Sequence, residues 1–390
     1  MESEPQAQPE PKIEVQARDL IPHDEPLAPV TISETEPEAT YRGLKWIFIG
    51  PEGLRAGWSL LIFFVLLIGF MSGLGYLFAR LHLISRGAFT PRTAIFSELF
   101  QLISLVAAAA LVGLIEGRTI FDYNLRGSRR VFHFFSGLVI GFLALSVLVG
   151  GLAAGHWLTF GTATLTGAAV IKYALIWGAV FVMVGCFEEG TMRCYLQYTF
   201  SRGLNFWWAL GLIASLCSLL LWRTKGEASW GVYIVAVIGL FPCLMLHIRK
   251  APSSGFWQAA WFTSALFGAA HTGNNGENWI GIFAVVLIGF VFCVSIWVTG
   301  SAWWAIGCHA AWDWAETYFY GTADSGFVAP GHLFSTKPAG NPLWSGGADG
   351  PEGSLLVIPV VLLILACLLV LYRRPKLVKL QAASTEQLAS

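Results

Sequence analysis

The chain has 390 residues, of which 55% are hydrophobic and only 12% charged, with 24 lysine plus arginine against 24 aspartate plus glutamate. Usage this apolar excludes a water-soluble globular body as the main architecture. The even charge balance leaves no basic field for nucleic acid and no acidic excess for a cationic partner.

Residues 1–40 are acidic and rich in proline, with too few large apolar side chains to bury, and are expected to form a disordered tail. This stretch lacks the basic start and apolar core of a secretory signal, so insertion falls to the first hydrophobic segment, after Arg55. A helix crossing ~30 Å of hydrocarbon needs ~20 largely apolar residues. Candidate segments lie near 56–78, 95–115, 132–152, 170–199, 206–222, 230–248, 257–271, 279–299, 302–320 and 354–372. Several are short, and 257–271 has the length of a half-crossing or re-entrant helix, so the expected fold is an all-α polytopic transmembrane bundle of about 8 to 10 spans.

Basic groups at Arg42 with Lys45, Arg126 with Arg129 and Arg130, Arg249 with Lys250, and Arg373 with Arg374 and Lys376 alternate as a ten-span chain with both ends inside requires. Arg80, Arg86 and Arg92, in the first outside loop of that scheme, argue against it. Tryptophans such as Trp58, Trp157, Trp279 and Trp303 cluster at span ends, as interfacial aromatics do. A Gly/Pro-rich loop runs from Gly321 to Gly353, and a basic-start tail occupies 373–390, leaving 41–372 as the transmembrane domain. The seven cysteines have neither a CxxC pair nor a metal-finger spacing and read as small apolar packing residues.

Three places put ionisable groups where lipid penalises them by at least ~2.5 to 3.5 kcal/mol each. Glu188, Glu189 and Arg193 fall in one apolar run; on a helix Glu189 and Arg193 share a face and can pair, while Glu188 turns ~100° away and stays free. Phe267 and His271 are four apart, as are His309 and Asp313, so each pair shares a helical face. A lone intramembrane histidine or a single Glu–Arg pair is more often structural than chemical; four such features in one apolar chain are harder to dismiss. Glu98, Glu116 and Lys172 lie near span ends, and His82, His133, His156, His247 and His332 are placed in loops or at interfaces.

A carboxylate and two imidazoles with no nucleophilic serine or cysteine motif suit activation of water, by a general base alone or on a metal. Glu188 is the preferred base, with His271 holding or sharing the water and His309 with Asp313 stabilising the oxyanion or fixing the imidazole. The chain carries no HExxH zinc helix, no GxGD aspartate and no GxSG serine with a downstream histidine.

The motifs EExxxR (Glu188 to Arg193), FxxxH (Phe267 to His271) and HxxxD (His309 to Asp313), in that order on successive apolar helices, resemble the CPBP family. That family comprises CAAX proteases and bacteriocin-processing enzymes related to the type II CAAX prenyl endopeptidase. The resemblance runs from roughly Phe121 to Gly321 and implies a membrane-embedded helical peptidase. By resemblance, Glu188 and His271 activate water, His309 and Asp313 serve the oxyanion or a metal, Glu189 and Arg193 complete the expected catalytic set, and Phe267 lies beside the substrate. Glu188, His271 and His309 are the expected ligands if a metal is bound; zinc, another divalent ion and metal-free activation all stay open. The implied partners are the lipid bilayer and a membrane-associated or lipid-modified peptide, with no nucleic acid, and the implied location is an integral, multi-pass one, the plasma membrane if the chain is bacterial. Two departures stand out: a longer gap before Phe267, of the size of a helical hairpin near 206–248, and Cys194 where the family commonly has glycine. A catalytically silent relative that binds a partner is the alternative; a proton-coupled transporter is less favoured, since no internal repeat is visible.

Overall fold

The computed structural model describes residues 45–50, 53–84, 90–226 and 229–372. The expected tails at 1–40 and 373–390 lie outside the described residues. Ten helices account for the ten apolar segments: α1 (Ala56–Arg80), α2 (Pro91–Glu116), α3 (Arg130–Ala154), α4 (Ala168–Ser201), α5 (Phe206–Arg223), α6 (Ser229–Ile248), α7 (Ser254–His271), α8 (Trp279–Thr299), α9 (Trp303–Trp314, extended by Ala315–Tyr320) and α10 (Val357–Leu371). Seven of these, α1 to α6 and α8, are long and apolar enough to cross a membrane. The chain is thus an integral, multi-pass, all-helical membrane protein, with α7, α9 and α10 as shorter or less apolar helices of the bundle.

Local chemistry sets the helix ends. Thr90 caps α2 by accepting from the Thr93 backbone N–H, Pro91 opens its first turn, and Gly117 closes it with a left-handed φ of 68°. Asn278 caps α8 by accepting from the backbone of Ile280 at 2.8 Å and of Gly281 at 3.3 Å. Burial then ranks the helices. The most apolar window of α8 is 72% buried and that of α1 only 11%, so α8 is central and α1 peripheral. The hairpin α5–α6 packs through α6 on α7, so the expected insertion at 206–248 braces the helix that carries Phe267 and His271.

The most extensive helix pairing is α3 with α9, and it is built from glycine. A Cβ on Gly137 would sit 2.2 Å from the Trp304 carbonyl oxygen, and one on Gly141 would sit 2.1 Å from that of Cys308. Reciprocally, a Cβ on Gly307 would meet the Phe134 carbonyl at 2.1 Å. This is the small-xxx-small logic of membrane helix packing, where backbones approach because no side chain intervenes. It fixes α9, and with it His309. The described cysteines are all free thiols, with Cys194, Cys243, Cys293 and Cys308 buried, as packing residues should be.

The loop from Gly321 to Gly353 has its own structure. Its strand β2 (Phe334–Pro338) pairs antiparallel with β1 (Leu158–Ala163), which follows α3, and a short helical turn at Pro351–Gly353 leads into α10. Two carboxyls at the base of this loop face each other. Burial, then the Asp349 charge, raises Glu277 to about 9, while burial raises Asp349 to about 7, and Glu277 donates a hydrogen bond to Asp349.

Two outcomes are expected. Gly141→Ala should cost about 1–3 kcal/mol by driving α3 from α9, read as a lowered melting temperature in lipid. Because both carboxyls bind their protons more tightly folded than unfolded, their contribution is fully present below about pH 4 and is lost progressively as pH rises to about 7 for Asp349 and about 9 for Glu277. Melting curves without added divalent salt should therefore fall over that window in the wild type. They should fall less in Glu277→Gln, whose amide still donates to Asp349.

Candidate active site

Helix α4 leaves α geometry just after its paired glutamates: Gly190–Leu196 are wound as a π-helix. Helix α9 does the same at Ala315–Tyr320, beginning two residues after Asp313. A π segment within an α-helix re-aims side chains at the cost of poorer backbone hydrogen bonding, and such segments recur at functional sites. The spacing rule for straight α-helices expects neither.

Between these helices sits Glu189, with no exposed side-chain surface. One of its oxygens lies 3.2 Å from Arg193 Nε and the other accepts from His309 Nδ1 at 2.9 Å. The expected Glu189–Arg193 pair is therefore present, and it extends across the bundle to α9. The Arg193–Glu189 contact has ion-pair distance without hydrogen-bond geometry. The guanidinium is held instead by aromatic faces, 4.2 Å from the Phe267 centroid and 5.5 Å from that of Phe292. Gly289 makes room for it, since a Cβ there would lie 2.5 Å from an Arg193 terminal nitrogen.

Glu188 has the opposite environment. It keeps 32% of its side chain accessible, and its nearest charged partner, His309 Nε2, is 3.8 Å away, beyond hydrogen-bond reach. The same Nε2 lies 3.4 Å from Asp313 Oδ2, so His309 has a carboxylate at each ring nitrogen. Its ring also stacks on Phe292 at 6.0 Å between centroids. His271 Nδ1 lies 2.8 Å from the Phe267 carbonyl. A carbonyl can only accept, so Nδ1 carries the proton and Nε2 is left with a free lone pair. The Phe267 ring packs against both histidines, at 4.6 Å from His271 and 6.1 Å from His309.

Glu188, His271, His309, Asp313 and Phe267 all line one cavity of about 230 Å³, walled by apolar residues of α4, α8 and α10 such as Val184, Ile288 and Val361. Glu189 and Arg193 stand behind that wall. The donor types on the cavity side, one carboxylate and two imidazoles each oriented through its other nitrogen, are those a zinc-like ion accepts. Two further carboxylates, Asp324 and Glu352, line the same space from the Gly321–Gly353 loop. Neither stood out in the sequence, because both lie in a polar loop where an acid carries no signal. Phe292 and Gly289 were equally silent, being an ordinary apolar residue and an ordinary helical glycine until Arg193 packs on them.

Residues 243–315 match the family model of the Rce1-like type II CAAX prenyl endopeptidases, a protease family. The match takes in Phe267, His271, His309 and Asp313 and stops short of Glu188, Glu189 and Arg193. No curated protein and no solved structure matches the chain.

Removing the guanidinium while leaving Glu189 should be costly, because a buried charge loses its partner. Arg193→Ala is expected to destabilise by about 3–5 kcal/mol, measured by thermal or denaturant unfolding in detergent micelles.

Proposed function

We propose that this chain is an intramembrane endopeptidase that hydrolyses a peptide bond in a membrane-associated or lipid-modified substrate. The observation that supports it most is the common cavity of Glu188, His271, His309 and Asp313, deep among apolar helices, in a chain with a protease-family match. Such groups are expensive in this setting, and ionisable side chains kept there mark functional sites.

Glu188, accessible and free of a fixed partner, takes a proton from a water molecule held against it by the free Nε2 of His271. The oxygen of that water attacks the scissile carbonyl carbon, and the carbonyl oxygen becomes an oxyanion. His309 is positioned to donate to it, its ring oriented by Glu189 at Nδ1. Collapse of the tetrahedral species breaks the C–N bond, and Glu188 returns its proton to the departing amine. Glu189 and Arg193 act as positioning residues. A divalent ion on Glu188, His271 and His309 would supply Lewis-acid activation of the same water. The apolar cavity walls fit a substrate segment delivered from the bilayer, and the place of action is the plasma membrane if the chain is bacterial.

The test is cleavage of candidate membrane peptides by protein reconstituted in lipid. Glu188→Gln and His271→Ala should each lower the rate by about 10²–10⁴-fold while leaving the melting temperature near wild type. Equal cleavage by all three proteins refutes the assignment, and stable binding of the peptide without cleavage by any of them identifies a binding protein instead. A chelator control separates metal-assisted from metal-free activation.

A further inference from the structure

Beside the cavity, three carboxylates converge from separate parts of the chain. Glu316 comes from the π-wound end of α9, Asp324 from the loop that follows, and Glu352 from the turn leading into α10. One oxygen from each lies within 4.8 Å of the other two. Among the described residues no lysine, arginine or histidine forms an ion pair with any of them.

Acids gathered on a surface need no explanation, but Glu316 is not on a surface. Its residue is 0% exposed, and both carboxylate oxygens lack any hydrogen-bond partner. A buried carboxylate with neither a counter-charge nor a donor is among the costliest arrangements a fold can hold, and buried charges are normally paired or bound to metal. The other two are aimed rather than loose. Trp312 Nε1 donates to one oxygen of Glu352 at 2.8 Å, and Thr317 donates to Asp324 at 2.7 Å. These bonds engage Oε1 of Glu352 and Oδ2 of Asp324.

We propose that Glu316, Asp324 and Glu352 form a binding site for a hard divalent cation, Ca²⁺ or Mg²⁺, distinct from the water-activating set at Glu188, His271 and His309. The donors are all oxygen, which selects these ions over zinc or copper. The cation supplies the missing partner of Glu316. It also ties together three segments: the end of α9, the Gly321–Gly353 loop and the entry to α10. Because Asp324 and Glu352 also line the cavity, the ion clamps one wall of the candidate active site. Cation binding by these three residues does not depend on proteolysis.

The test uses the full chain in lipid nanodiscs, stripped with chelator and titrated separately with CaCl₂ and MgCl₂. Saturable binding of one ion per chain is expected for one of the two salts. It should raise the melting temperature by about 3 °C at a hundredfold excess over Kd. Asp324→Asn should weaken binding by on the order of 100-fold, since affinity follows ligand charge. Glu316→Gln decides the sign: with a native cation it abolishes the shift and lowers the cation-loaded melting temperature. Without one it removes an unpaired buried charge and raises the melting temperature equally in either salt and in chelator. The latter result, or binding that survives both substitutions, overturns the proposal. Glu188→Ala should bind the ion as the wild type does, which keeps this outcome separate from any failure of the hydrolytic reading.

Discussion

The structure turns on the carboxylate of Glu189. It is fully buried, it faces Arg193 on its own helix, and it accepts from His309 on another. A lone carboxylate at this depth would cost several kcal/mol, and so would a lone guanidinium. Neither can leave without stranding the other, and His309 is oriented by the second oxygen of the same carboxylate. The requirement propagates outward. Arg193 needs the faces of Phe267 and Phe292 and the open position at Gly289, which draws α7 and α8 around α4. The position of α9 is set independently by its glycine contact with α3.

This arrangement divides labour between adjacent residues of one type. Glu189 faces His309 with one oxygen and Arg193 with the other, and is shielded from the cavity. Glu188, one residue earlier and about a quarter turn away, faces the cavity with an uncommitted oxygen. His271 and His309 divide in the same way. The first has Nδ1 tied to a carbonyl and Nε2 free; the second has a carboxylate at each nitrogen. In both pairs, what surrounds a side chain decides what it can do.

Much of this was legible in the residues themselves. Apolar runs broken by turn residues marked all ten helices, because lipid tolerates little else. Four-residue spacing put Glu189 with Arg193 and His309 with Asp313, because helical geometry is local. The closeness of Glu189 to His309 was not legible, since 120 residues separate them and only packing decides which faces meet. The π-wound turns after Glu189 and Asp313 were hidden too, because they arise from tertiary constraint on sequences that suit an α-helix. The 257–271 segment, short enough on paper for a half-crossing, is an 18-residue helix of about 27 Å, most of whose middle is buried. Asp324 and Glu352 were invisible for the opposite reason: loop acids are common, and only the fold turns these two inward.

The proposed hydrolysis requires water, rather than a carboxylate, to be the attacking group. Single-turnover cleavage of a membrane peptide in heavy-oxygen water, with mass spectrometry of both product and enzyme, tests this directly. One heavy oxygen should enter the new C-terminal carboxylate in the first turnover, with the enzyme unlabelled. Label on Glu188, or an unlabelled first-turnover product, would show a covalent acyl-enzyme and contradict the account.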